Sequence, residues 1–200
     1  MEEAAVLGLL CQPQTKVIAS LGNLSVWYST KNSIGRWSSS SIKVYMEKLN
    51  TNTSFTFIES LTNATSQWHS ALGVTLTANV NAPASPIRYF GGTASEVTAA
   101  GLSVVAGDNG RTTYSYYYEG TWYLYPLDTT KTGNRHVNAQ GYILDKNRTA
   151  SAYIKTALHE LGHSLGWEGH SSNVSDVMFG SGSEVTTLTN RDKNHLSQVY

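Results

Sequence analysis

The strongest constraint on this chain lies in one short segment, His159-Glu160-Leu161-Gly162-His163-Ser164-Leu165-Gly166-Trp167-Glu168-Gly169-His170. Histidines four apart on a helix sit one turn apart on the same side, so His159 and His163 can reach a single metal ion. Ile154, Ala157, Leu158, Leu161 and Leu165 recur at helical spacing and form one apolar stripe. The pattern predicts a helix from about Ser151 to Leu165. At 100° per residue, the two histidines lie roughly 140–180° from the centre of that stripe. They therefore face away from the side that packs on a core, whereas a merely packed histidine would sit on the stripe. Gly166 supplies a stop, because glycine readily takes the left-handed conformation that ends a helix. The chain can then turn back and bring His170 to the same ion. Imidazole nitrogens suit zinc, and a catalytic zinc site keeps one of its four positions open. One catalytic Zn2+ is expected, with Glu160 as general base beside a ligand.

Around this segment the sequence reads as a mixture of strands and helices. Ile42 to Met46 alternates as a strand, and Phe57 to Leu72 carries helical spacing, with capping candidates at Thr51 to Ser54 and Gly73 as terminator. Val74 to Val80 alternates again, and Pro86 to Phe90 is a further strand candidate. Thr112 to Tyr118 and Thr121 to Tyr125 flank Glu119-Gly120 as a hairpin. Gly141 to Leu144 is a last short strand, and Asn190 to Tyr200 a closing helix. This order describes an α+β, or mixed α/β, domain. Residues 1–36 carry weak signals, and Ser38 to Ser41 resembles a joint, so 1–36 is read as an extension or prosegment and 37–200 as the catalytic domain.

Composition narrows the function classes. Lys and Arg number 14, as do Asp and Glu, which gives no electrostatic case for nucleic acid or an anionic membrane. No apolar run approaches the length of a membrane span. Cys11 is the single cysteine, so no intrachain disulfide can form. The start, Met1-Glu2-Glu3, lacks the basic region of a signal peptide, and a processed form is expected.

With its glycine and third histidine, the segment resembles the metzincin zinc peptidases, specifically matrixin-like enzymes, whose signature is HExxHxxGxxH followed by a methionine turn. Here Gly169 places the third histidine one residue late, as in bacterial matrixin-like proteins with HExxHxxGxxGH. The resemblance implies a twisted, mostly parallel sheet with an antiparallel edge strand, an active-site helix and a C-terminal helix. It implies Met178 as an apolar floor under the zinc and Gly166 as the turn that frees His170. It also implies an extended protein or peptide substrate along an edge strand within residues 112–126, and a specificity pocket walled by Phe179 to Val185. The expected function is a secreted, monomeric zinc-dependent endopeptidase acting on protein or peptide, with no nucleic-acid partner and no membrane span.

Other readings are weaker. Glu184, 21 residues after His163, could replace His170 as third ligand, but Gly180 to Ser183 reads as loop. A zinc-retaining binding or adhesive module without turnover is the rival of another class, suggested by the many tyrosines. His69, His136 and His195 are read as surface or packing histidines. Cys11 is read as an incidental thiol, a latency role being the sharper alternative.

Overall fold

The computed structural model describes residues 11–13, 35–37, 40–118, 121–124, 136–167, 169–180, 184–197 and 200. Two short strands, β1 (Cys11–Pro13) and β2 (Gly35–Trp37), pair antiparallel. The main sheet contains β3 (Ser41–Lys48), β4 (Thr75–Asn79), β5 (Ile87–Gly92), β6 (Gly110–Tyr118), β7 (Thr121–Leu124) and β8 (His136–Leu144). Its order is β4-β3-β5-β8-β6-β7. The first four strands in that order run parallel, and β6 runs antiparallel to both β8 and β7. The expected mixed sheet with antiparallel pairing at one edge is therefore present.

Ile42, Val44 and Met46 alternate toward one face of β3, as period-two strand geometry requires. On that face lie α1 (Phe57–Leu72) and α3 (Ala150–Ser164). Phe57, Leu61, Ala64, Trp68 and Leu72 of α1 bury toward the sheet and α3, and Gly73 ends the helix at φ 67°. Fully buried Trp68 donates its indole N–H to the Leu158 carbonyl at 2.9 Å, which locks the two helices together. The other face of the sheet is covered by α2 (Ala94–Ala99), whose Val97 packs with Tyr142 and Leu144. The chain closes with α4 (Asn190–Ser197), and Leu196 is buried. No helix is long and apolar enough to cross a membrane.

Several boundaries differ from the sequence reading. The α1 cap is Thr56, without a side-chain bond, rather than a residue of Thr51 to Ser54. Ser41 opens β3 instead of belonging to a joint, and β8 begins at His136. The α2 helix, too short for periodicity to reveal, was not anticipated.

Candidate metal centre and active site

Thr149 starts α3 by accepting a hydrogen bond from the Ala152 N–H at its side chain. The helix ends in a Schellman arrangement, with Gly166 N–H donating to His163 O at 2.9 Å and Trp167 N–H to Gly162 O at 3.1 Å. Gly166 sits at φ 112° and Gly169 at φ 72°, both in the left-handed region. Two such turns bring the chain back under the helix, where Val177 and Met178 pass below His159 and Gly162.

The ring nitrogens of His159, His163 and His170 lie within 4.8 Å of one another. His159 Nδ1 lies 2.9 Å from the Val177 carbonyl, and His163 Nδ1 lies 2.8 Å from the Trp167 carbonyl. A carbonyl only accepts, so both Nδ1 atoms carry the proton and both Nε2 atoms present lone pairs. Those two Nε2 atoms are 3.1 Å apart. Burial lowers the pKa of both rings, that of His163 to about 4, which keeps them neutral. Two bare lone pairs facing each other at that distance suit a shared cation. Tetrahedral zinc with nitrogen ligands at ~2.0–2.1 Å would place them about 3.3 Å apart. The carbonyl partners fix the tautomer in the way metal-ligating histidines require. His170 is exposed, stacks on His159 with ring centroids 5.1 Å apart, and stands close to Gly180.

His159 points away from the apolar stripe, as its helical position predicts, yet it is buried because the Val177–Met178 segment covers it. Met178 is fully buried beneath Gly162. A methyl group built on Gly162 would come 2.5 Å from the Met178 sulfur and 3.0 Å from the Trp68 ring.

Glu160 turns toward β6. Thr112 Oγ1 lies 2.9 Å from both the Glu160 carbonyl and its carboxylate Oε2, and Tyr89 Oη lies 2.8 Å from the same hydroxyl. Tyr89 Oη is also 2.6 Å from Ser164 Oγ. Burial raises the Glu160 pKa to about 7, against the lowering effects of Thr112 and Lys155. Such a carboxyl group can both take and return a proton near neutrality.

A carboxylate network holds the loop that carries His170. Buried Asp176 accepts from Ser171 Oγ at 2.6 Å, Thr189 Oγ1 at 2.8 Å and Arg191 Nη2 at 2.8 Å. Burial alone would raise its pKa, but these donors and the Arg191 charge bring it below the usual carboxylate range. Asp192 on α4 accepts from Val177 N–H at 3.1 Å and Met178 N–H at 3.3 Å, and burial raises its pKa.

Residues 108–200 match the family described as Matrixin. Over those residues the chain is matrixin-like. The match and the histidine cluster support a zinc metallopeptidase as the broad class. A search of curated proteins gives no match. Two solved structures of myroilysin are similar to this chain. One shares 14% identity, covers 82% of this chain and 95% of that chain, and has a TM-score of 0.46. The other shares 15% identity, with coverages of 82% and 85% and a TM-score of 0.44.

Of the residues singled out for the centre, His159, His163 and His170 come together in one cluster, Glu160 is buried beside them, Gly166 turns the chain at φ 112°, and Met178 is buried. Glu184 is exposed, lies outside any helix and does not join the histidine cluster. His195 is a packed residue against Trp167, with ring centroids 4.1 Å apart. Exposed His69 accepts a hydrogen bond from the Leu76 N–H at 3.2 Å. The side chains of Cys11 and His136 lie outside the described residues. Sequence reasoning missed Thr112, Gly162, Asp176 and Asp192. Only Gly162 carried a local signal, a residue without a side chain between two ligand candidates.

Proposed function

We propose that this chain is a zinc-dependent endopeptidase, with His159, His163 and His170 as ligands and Glu160 as general base. The observation that carries the reading is the pairing of two bare Nε2 atoms 3.1 Å apart with a carboxylate held by Thr112 on the neighbouring helix position. When bound, zinc supplies a water of lowered pKa and polarises the substrate carbonyl. The three imidazoles would hold the ion, and the Val177 and Trp167 carbonyls orient the rings of His159 and His163. Thr112 steadies Oε2, so that the Glu160 carboxylate can take a proton from the attacking water. Glu160 then returns that proton to the leaving amine nitrogen. Gly166 frees His170 from the helix path, and Met178 floors the centre.

The geometry also supports cleavage within a chain. β7 pairs only with Ser115–Tyr118 of β6, so Gly110–Tyr114 has no strand on that outer side among the described residues. Gly110 lies against Glu160. An extended peptide added to this edge by backbone hydrogen bonds would pass the centre and leave at both ends. We take residues 37–200 as the catalytic domain, 1–36 as an extension or prosegment, and the protein as a secreted monomer. Purified protein should digest casein, and a chelator should abolish the digestion. Glu160→Gln should keep bound zinc while losing roughly 100-fold or more in rate. A fully active Glu160→Gln protein would remove Glu160 from this role.

A further inference from the structure

Lys155 and Thr156 lie one helical turn before His159 and Glu160 on α3, on the same side of the helix. A methyl group built on Gly110 of β6 would come 2.7 Å from Thr156 Cγ2. Lys155 Nζ donates to the Phe179 carbonyl at 3.1 Å. Lys155 is half-buried, and burial draws its pKa below the ordinary lysine value, with the Glu160 and Asp192 charges opposing. The carbonyl uses one of three ammonium N–H groups. Among the described residues, no carboxylate forms an ion pair with Lys155. A second cation reinforces the charge. Arg148 Nη1 donates to Thr156 Oγ1 at 3.1 Å, its guanidinium lies 4.8 Å from the centroid of the Tyr153 ring, and its charge acts on Lys155. Arg148 likewise has no ion-pair partner among the described residues.

We propose that Lys155 is a specificity-determining residue that selects substrates bearing a carboxylate side chain at one position flanking the cleaved bond. This rests on the peptidase reading above. One helical turn, about 5.4 Å of rise, separates Lys155 from His159. Between them, the four-carbon stem of Lys155 and the one- or two-carbon stem of a substrate Asp or Glu can cover that distance. A neutral side chain adds no further charge to offset the partly desolvated ammonium, and a basic one repels it.

The test uses the zinc-loaded protein and a peptide mixture varied at every position, with cleaved bonds identified by sequencing the products. Wild type should favour Asp or Glu over Asn or Gln about tenfold at one fixed flanking position. Lys155→Arg should keep that preference. Lys155→Met should lose it while still cleaving, and Lys155→Glu should turn it toward Lys or Arg. A merely structural tie to Phe179 would not reverse a charge preference. Chelator-sensitive cleavage without an acidic preference, or an unchanged preference in Lys155→Met, overturns the proposal alone. No chelator-sensitive cleavage of any peptide overturns the peptidase reading and this proposal with it. Should Lys155→Met fail to fold, Lys155→Gln and the wild-type Glu-to-Gln ratio decide.

Discussion

Gly162 sets how closely the methionine can approach the two helical histidines. Alanine in its place would favour the helix by about 1 kcal/mol. Its methyl group would, however, collide with the Met178 sulfur and crowd the Trp68 ring, and such overpacking costs about 1–3 kcal/mol. Gly162→Ala is expected to lose about 1 kcal/mol net. Thermal unfolding of the zinc-loaded protein checks this; an unchanged or higher Tm would mean that the floor yields. At this scale the histidine cluster was legible because His159 and His163 are spaced one turn apart on one helix and Gly166 marks where the chain turns back toward His170. Thr112 and Lys155 were not. Thr112 reaches Glu160 across 48 positions, and Lys155 finds Phe179 across 24. No local pattern marks such partners.

Among the elements, α3 was legible nearly to its ends, because stripe, cap and Gly166 agree with one another. The α2 helix left a different signal, the capping box in which Thr93 and Glu96 bond each other's backbone N–H. β8 extends beyond its apolar end because β6 pairs with it as far as His136, a tertiary cause that the polar residues there do not announce. The role of α4 lies in Asp192 rather than in its apolar residues. Removing that carboxylate leaves the Val177 and Met178 N–H groups without their acceptor. Asp192→Ala is therefore expected to cost about 2–4 kcal/mol and to weaken zinc binding with all three histidines intact. Denaturant unfolding and zinc titration against a competing chelator measure the two effects. Unaltered values in both would show that α4 does not brace the loop.

For the whole molecule, the strands, the hairpin and two long helices followed from alternation, turn residues and periodicity; the parallel orientation came only from the family resemblance, and the strand order from neither. Sheet order is set by which faces bury together, and that information is spread over the chain. One global property follows from His195, which is almost fully buried and has its pKa lowered to about 3 by desolvation. The unfolded chain binds a proton at this residue below about pH 6.5 and the folded chain does not, so stability falls as pH drops from 6.5 toward 3. At pH 5 the loss from this residue alone is about 2 kcal/mol. His195→Leu should flatten the decline between pH 7 and pH 5 by that amount, as read by urea unfolding at each pH. An identical decline in both proteins would mean that His195 is already charged in the folded state.

The Schellman stop at Gly166 divides the donor set into a rigid pair and a separate arm. His159 and His163 are in register as soon as α3 packs, whereas His170 contributes only when its loop is closed. Ser171, Asp176, Thr189 and Arg191 draw that loop shut through side chains, so much of the entropy of ring closure is spent in folding rather than in chelation. Grip on the cation thus becomes adjustable from the C-terminal helix, by changes that leave every imidazole in place.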